Sequence, residues 1–245
     1  MTFGGCTYGE RGVLLMTWEK SSLTLPNPER RELGEMIRRY ALVLTYPAKK
    51  VYLEPGTVLD GVDYIAEGRT RHYMVAMDGT EKILYTLSAG WFFGETPCSL
   101  EQPTGLYSKT EERTTIYRIP QQAYDKLLDE NKTFRDVILR SCAKKLLIMR
   151  HEIENLTFNS CKDRLKRLFC STADTSRLEE GAWYSLKVHY TQYEISTIVG
   201  GARVTVSKLI NELCLEGFIR MLNRNIQINA TEYARFTRWM EEHKY

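Results

Sequence analysis

The sequence predicts an α+β protein in three parts: an antiparallel β-roll, one long helix and a C-terminal winged helix-turn-helix. Three observations support this fold class. Turn residues recur at intervals of 12, 11 and 11 between Gly56 and Gly90, residues 133–158 contain no glycine or proline, and two short helical patterns flank Gly200-Gly201. We therefore expect a variable lead-in (1–28), a β-roll domain (29–132), a long helix (133–158) and a winged helix-turn-helix domain (159–245).

The β-roll domain begins with an amphipathic pattern over residues 29–40, which predicts a short helix. From residue 41 to 119 the chain changes to short apolar runs between turn signals, as in an antiparallel barrel or roll. Asp78-Gly79, between two such runs, predicts a tight hairpin. A β-sandwich without a particular function is the alternative for this region.

The long helix carries apolar residues at intervals of 4, 4, 3, 4 and 3. This spacing is typical of the seam of a two-stranded coiled coil, and it predicts a homodimer with the same helix across a two-fold axis. The alternative is that this face packs on the chain's own β-roll. The predicted seam consists of Ile138, Cys142, Leu146, Met149, Ile153 and Leu156.

The helix-turn-helix lies within residues 191–219. Thr191 and Glu194 have the spacing of a capping box at the start of a first helix, and Gly200-Gly201 ends that helix in a tight corner. The second helix, from about Ala202, is predicted to bury one apolar face. Two helices can share a glycine corner without touching DNA, so this alternative stays open. The stripe predicted to be exposed is Arg203, Val204, Ser207, Lys208 and Asn211.

Other elements complete the C-terminal domain. Residues 163–170 predict a helix with Lys162, Arg164, Lys166 and Arg167 mostly outward. Asn223-Arg224-Asn225 lies between two short apolar runs, which predicts a β-hairpin beside the second helix of the motif, with Arg224 near the DNA backbone. Residues 231–243 predict a final helix. The region 157–160 is the expected hinge.

Composition and charge narrow the function classes. The net charge of the 245 residues is +3, and residues 159–245 hold all of this excess, with 13 Lys and Arg against 10 Asp and Glu. No apolar run approaches the roughly 18 residues of a membrane span, so we expect a cytoplasmic protein without membrane contact. The six cysteines form no CxxC pair, nucleotide-loop and zinc-protease motifs are absent, and the histidines are scattered. We expect neither an enzyme nor a cofactor.

This order of parts resembles the Crp/Fnr family of transcription regulators, whose roll is a cyclic-nucleotide-binding-like domain. The resemblance implies a homodimer that binds a palindromic operator under the control of a small effector, and it leaves RNA polymerase open as a further partner. It places base reading on Arg203, Val204, Ser207 and Lys208. Val204 stands where a glutamate is common, and a valine packs on a thymine methyl, so we expect A·T-leaning half-sites. Phosphate contacts are expected from Thr191, Thr205, Lys208 and Arg224.

The effector implied by the resemblance is not cyclic AMP. Gly94-Glu95 match the nucleotide-binding members, but Thr104-Gly105 stand where those members carry Arg-Ser. The stretch EGRTRHYMVAMDGTEKILY and the segment RVTVSK are closely similar to the CprK-type halorespiration regulators, which sense chlorinated phenols. By this likeness the pocket residues are Tyr85, the backbone at Gly94, Lys145, and Cys142 in place of a pocket tyrosine.

The chemistry of that pocket is specific. A buried Lys145 ammonium would select a phenolate over a phenol, and an aromatic wall of Tyr85 with Trp91 or Phe92 would pack the ring. Ordinary core packing for Tyr85 and a solvated position for Lys145 are the alternatives.

Three other readings stay open within or beside the family. His72 could ligate haem, Cys6 and Cys214 could form a redox switch, and the dimer could act on a protein partner instead of DNA. An iron–sulfur sensor is not expected, because the lead-in has only Cys6.

Overall fold

The computed structural model describes residues 27–242. Nearly all of the predicted lead-in, including Cys6, lies outside the described residues. The helices are α1 (Asn27–Arg38), α2 (Glu95–Ser99), α3 (Gln121–Glu130), α4 (Lys132–Phe158), α5 (Cys161–Thr172), α6 (Gln192–Val199), α7 (Arg203–Leu215) and α8 (Ala230–Glu242). The strands are β1 (Leu42–Tyr46), β2 (Val51–Leu53), β3 (Gly61–Glu67), β4 (Arg69–Val75), β5 (Glu81–Ser88), β6 (Phe92–Phe93), β7 (Tyr107–Thr110), β8 (Thr114–Pro120), β9 (Trp183–Ser185), β10 (Ile219–Leu222) and β11 (Asn225–Asn229).

Strands β1–β8 form the predicted antiparallel roll. Its two sheets have the strand orders β1-β8-β3-β6 and β2-β7-β4-β5. The hairpin at Asp78-Gly79 is confirmed, because β4 and β5 pair around it and the amide of Ala76 donates to the carbonyl of Thr80 over 2.9 Å. One apolar cluster lies inside the roll and a second joins it to α1, α3 and the start of α4. These clusters fix where the long helix leaves the roll.

The long helix α4 is confirmed, but the predicted seam is partly wrong. Ile138, Cys142 and Met149 pack against the chain's own roll, which is the alternative for those positions. Leu146 and Ile153 of the predicted seam face solvent, in line with Leu139. Leu139, Leu146 and Ile153, spaced by seven, are 62%, 72% and 65% exposed, and we call them the α4 stripe. A spacing of seven keeps side chains on nearly one face of a helix, so α4 carries an exposed apolar line beside the one that packs on the roll.

The C-terminal domain is a winged helix-turn-helix, so the predicted fold class is confirmed. Its core gathers apolar residues from α5, α6, α7, α8 and the sheet. The sheet has the order β10-β11-β9. Its third strand, β9, was not predicted, because three residues of intermediate burial give no alternating pattern. Within residues 27–242 no helix combines the length and apolar character needed to cross a bilayer.

Candidate DNA-reading and effector sites

The start of the helix-turn-helix is fixed by the predicted capping box. The amide of Glu194 donates to Thr191 Oγ1 over 3.2 Å, and the amide of Thr191 donates to Glu194 Oε2 over 3.0 Å. At the other end of α6, Gly200 is the left-handed C-cap. A Cβ atom on Gly201 would lie 2.8 Å from Cys161 Sγ and 3.2 Å from Val206 Cγ2, so only glycine lets α5 and α7 approach this closely.

Helix α7 separates a buried face from an open one. The face predicted to be buried consists of Val206, Leu209, Ile210 and Leu213; Leu209 is half-buried and the other three are buried. The side chains expected to contact DNA lie at the surface, apart from Ser207, which is half-buried. Ala202 is the N-cap and supplies no side-chain hydrogen bond, so the first amides of α7 are not capped by its side chain. The exposed residues are Thr191, Arg203, Val204, Thr205, Lys208 and Arg224.

The wing is the hairpin of β10 and β11. Asn223 and Arg224 at its tip both have positive φ, 50° and 66°, as in the two-residue turns that suit the twist of a hairpin. The turn holds the Arg224 guanidinium out in solvent. This arrangement leaves a cation at the tip, available to a phosphate.

Arg164 corrects one expectation. Its side chain was predicted to point outward, but its Nε donates to the carbonyl of Val199 over 2.7 Å and its Nη2 to that of Gly200 over 3.3 Å. Its Nη1 donates to the carbonyl of Asn159 over 2.9 Å. A cation at a helix C-terminus complements the partial negative charge there. Arg164 therefore ties the corner of the motif to the junction that follows α4.

The centre of the candidate effector site is an ion pair between the roll and α4. Lys145 Nζ lies 2.8 and 2.7 Å from the two carboxylate oxygens of Glu95 and donates to the carbonyl of Phe92 over 2.7 Å. The hydroxyl of Ser141 donates to Glu95 Oε1 over 2.9 Å. Lys145 therefore points into the protein, not onto a solvated flank of α4. The sequence pattern did not predict Glu95 as the partner of Lys145, although Glu95 belongs to the Gly94-Glu95 pair described above.

Aromatic rings line the same region. Lys145 Nζ lies 6.0 Å from the ring centroid of Tyr85 and 5.9 Å from that of Phe93. Burial, together with the nearby Glu95, raises the pKa of the Tyr85 hydroxyl, so Tyr85 is a neutral wall. The ring of Phe93, not Phe92, faces Lys145. Phe92 packs in the other cluster, against Tyr64, with ring centroids 5.0 Å apart.

Gly94 and Cys142 complete the set expected from the sequence. Gly94 has φ +98°, and a Cβ there would lie 3.0 Å from Leu59 Cδ1 and 3.3 Å from the carbonyl oxygen of Gly61. Glycine is thus needed for Glu95 to turn toward α4. Burial raises the pKa of the Cys142 thiol, with a further contribution from Glu95, so the thiol stays neutral. The structure brings Tyr85, Gly94, Cys142 and Lys145 around one buried carboxylate.

His72 lies deeper in the roll. Its Nε2 is 2.9 Å from Thr70 Oγ1 and its Nδ1 is 3.0 Å from Ser108 Oγ, and its ring stacks on Phe93 at 4.1 Å. Both ring nitrogens are engaged and the residue is fully buried, so this arrangement offers no nitrogen to haem iron. Across residues 27–242, no group of three or more His, Cys, Asp or Glu side chains is placed to hold a metal ion. Burial raises the pKa of Cys214, which disfavours the thiolate of a redox switch.

Comparisons with known proteins match both halves of this architecture. The cyclic nucleotide-binding domain model matches residues 43–131, and the Crp-like helix-turn-helix domain model matches residues 163–233. The chain is 24% identical over 179 residues to the CRP-like cAMP-activated global transcriptional regulator of Mycobacterium tuberculosis, covering 73% of this chain and 79% of that protein.

Two solved structures have a similar fold. The c-di-GMP-responsive global regulator CLP of Xanthomonas campestris has a TM-score of 0.71 and 16% identity, covering 81% of this chain and 98% of that one. A cysteine-to-serine variant of CprK in complex with OCPA has a TM-score of 0.66 and 19% identity, covering 85% of this chain and 93% of that one. With both domain models matched in this order, the chain belongs to the Crp/Fnr family of DNA-binding transcription regulators.

Proposed function

We propose that this protein is a homodimeric transcription regulator of the cytoplasm that binds a palindromic operator when a small aromatic acid occupies the region between the roll and α4. The observation that carries the proposal is the open face of α7. Arg203, Val204 and Lys208 are exposed on a helix whose opposite face is buried in the domain core. An exposed stripe at the start of the second helix is the part that enters a major groove in this motif.

The roles of the reading residues follow from their chemistry. Arg203 can donate twice to the O6/N7 edge of a guanine, which contributes about 1–3 kcal/mol of discrimination. Val204 offers only methyl groups, which suit a thymine methyl and favour A·T pairs at that position. Ser207 can donate to or accept from a base edge. Thr191, Thr205, Lys208 and Arg224 would contact phosphates and set the position of the domain on the duplex.

The dimer is supported by the α4 stripe. Three large apolar side chains spaced by seven on a 27-residue helix correspond to one of the two apolar positions in each heptad of a two-stranded coiled coil. A second copy across a two-fold axis would cover the stripe and present two α7 helices to a palindrome. RNA polymerase is included as a further partner in this proposal only because the resemblance to the Crp/Fnr family leaves it open.

The effector class is supported by the site around Lys145. An ammonium with little solvent contact beside the rings of Tyr85 and Phe93 suits a flat, acidic, aromatic molecule. A halogenated phenol fits, because ortho-halogens make the hydroxyl acidic enough to ionise near neutral pH. The structural neighbour CprK was solved with OCPA bound. Cyclic AMP fits less well, since residues 96–108 contain no arginine or lysine to neutralise its phosphate.

Two measurements test the proposal. An operator is first selected from random DNA with the purified protein, and its affinity for wild type and Arg203→Ala is measured by fluorescence anisotropy. We expect the variant to lose about ten-fold or more in affinity and to lose discrimination at one base pair. Arg235→Ala is the matched control, because Arg235 is an exposed arginine of the same domain on α8. Equal losses in the two variants would contradict the assignment of α7.

Calorimetry then tests the effector. Halogenated phenols, their unhalogenated parents and non-aromatic acids are titrated into the full-length protein. We expect binding by the acidic phenols and loss of that binding in Lys145→Met. Indifference to every aromatic compound would reject the effector class while leaving the DNA measurements valid. Retention of effector binding in Arg203→Ala would separate the two sites.

A further inference from the structure

The carboxylate of Glu95 is buried at the contact between the roll and α4. Its residue is 3% exposed and is the first residue of α2, directly after the left-handed Gly94. Each oxygen lies within hydrogen-bond distance of Lys145 Nζ, and Ser141 donates to one of them. The carboxylate therefore contacts α4 through two residues one helical turn apart. This pair is a direct polar link between the effector-binding domain and the long helix.

The link has a consequence for any acidic effector. Lys145 already has a counter-ion at contact distance, so its single positive charge is compensated. A second anion added beside Glu95 would place two negative charges against one ammonium in a region with little water, which is strongly unfavourable. An anionic group reaches Lys145 at low cost only if the Glu95 carboxylate leaves.

We propose that Glu95 is an internal counter-ion. In the absence of effector, its carboxylate occupies the place on Lys145 that the acidic group of the effector takes, and the bound effector displaces this carboxylate. The inference rests on the proposed effector site between the roll and α4. Displacement removes the contacts of Glu95 with Lys145 and Ser141, and with them the polar link from α2 to α4. The donor bond from Lys145 to the carbonyl of Phe92 keeps the ammonium in place during the exchange.

Glu95 then also sets specificity. A neutral ligand cannot replace a carboxylate on an ammonium, so it leaves the pair intact. An ionised ligand competes with Glu95, and its affinity is lowered by that competition. The opposite role is that Glu95 positions Lys145 for the ligand. The two roles predict opposite effects of removing the charge on Glu95.

The first test uses Glu95→Gln, which keeps the shape of the side chain and removes its charge. The probes are ortho-chlorophenol and its methyl ether, titrated by calorimetry at a pH where part of the phenol is ionised. We expect the variant to bind the phenol at least about ten-fold more tightly than wild type does, with the methyl ether unaffected. Weaker or equal phenol binding in the variant would overturn the inference and leave the proposed effector class standing.

The second test needs no aromatic effector. Glu95→Ala leaves a space beside Lys145 that acetate can fill. We expect acetate to raise the melting temperature of this variant by several degrees, and to have no such effect on wild type or on the double variant Glu95→Ala, Lys145→Met. If wild type binds no phenol but acetate stabilises Glu95→Ala, the proposed effector class is rejected and the counter-ion role of Glu95 is retained. If acetate acts equally on all three proteins, the counter-ion inference falls.

Discussion

The Nζ atom of Lys82 donates to the carbonyl oxygen of Ile198 over 2.6 Å. Lys82 is at the start of β5 in the roll, and Ile198 is in the last turn of α6, the first helix of the helix-turn-helix. The same ammonium is 2.5 Å from Glu152 of α4. One side chain therefore connects the roll, the long helix and the DNA-binding domain. A second contact between roll and α6 is the 3.5 Å pair of Arg71 and Glu194.

Replacing Lys82 should weaken the protein substantially. The side chains of Lys82 and Glu152 are 16% and 15% exposed, so Lys82→Met leaves a carboxylate with little water and without its ion-pair partner. We expect a loss of about 3 kcal/mol in the free energy of unfolding, measured with urea. Adding Glu152→Gln should recover at least about 1 kcal/mol, because the orphaned charge is then removed.

Lys132→Met is the matched control for this series. Lys132 pairs with Asp136 on the surface of α4 and is 80% exposed. Exposed pairs contribute little, so its loss should change stability by less than about 0.5 kcal/mol. Equal effects of the two lysine substitutions would show that the Lys82 contact does not join the domains in solution.

His72 should make stability depend on pH. Burial, and then the charge of Lys145, hold the pKa of His72 well below its ordinary value of 6.5. The imidazole therefore stays neutral in the folded protein, while in the unfolded chain it gains a proton as the pH falls below about 6.5. The unfolded state binds more protons, so stability falls with decreasing pH by up to about 1.4 kcal/mol per unit.

His72→Asn isolates this contribution. The asparagine keeps polar groups near Thr70 and Ser108 but does not titrate. We expect the unfolding free energy of the variant to fall less steeply than that of wild type between about pH 6.5 and 5.5, whatever its absolute stability. Parallel slopes in the two proteins would place a protonated imidazole in the fold and contradict its neutral state.

The sequence predicted the elements whose signals are local. The capping box at Thr191 and Glu194, the glycine corner and the hairpin at Asp78-Gly79 are each set by residues within a few positions. The partner of the apolar face of α4 was harder to predict. An apolar period identifies a buried face but not what covers it, so Ile138 and Met149 were assigned to a partner chain when they pack on the chain's own roll.

The candidate effector site shows the same limit. The family resemblance predicted Lys145 and Tyr85 as pocket residues, and in the structure these two side chains lie close together. It gave no reason to pair Lys145 with Glu95, which is 50 residues earlier. Such long-range partners depend on how α2 packs on α4, and the local spacing of apolar residues in the sequence does not predict that packing. The signal that was available is the Gly94-Glu95 pair, in which an ionisable residue follows two buried phenylalanines.

A larger residue at position 201 should destabilise the glycine corner. A Cβ there would lie 2.8 Å from Cys161 Sγ, so α5 and α7 would have to move apart. We expect Gly201→Ala to cost about 1–3 kcal/mol in thermal unfolding. Adding Cys161→Ala removes the sulfur atom and should restore part of the loss. Gly105→Ala is the control, since a Cβ there meets nothing within 4 Å; equal effects at both glycines would contradict the close approach.

Val204 should set one base preference of the operator. Val204→Glu adds an acceptor for the N4 amine of cytosine and removes the apolar contact with a thymine methyl. We expect selection with this variant to exchange an A·T pair for a G·C pair at one symmetric position in each half-site, a change of about 1–3 kcal/mol. Val204→Ala, which adds no acceptor, should weaken binding without changing the selected base. An unchanged operator for Val204→Glu would remove Val204 from the reading face.

The α4 stripe should form the interface of the dimer. Full burial of a leucine side chain contributes about 1.5–3 kcal/mol, and a two-fold axis counts each residue twice. Leu146→Glu also places two like charges against each other. We expect the dimer to lose about 3 kcal/mol or more of binding free energy, which raises its dissociation constant at least 100-fold. Light scattering should then find a monomer. In separate binding assays, this monomer should lose affinity for the palindrome, and any phenol binding measured for wild type should persist. Leu215→Glu is the control, because Leu215 is 89% exposed on α7, away from the stripe. A Leu146→Glu protein that stays dimeric would mean that another surface joins the two chains.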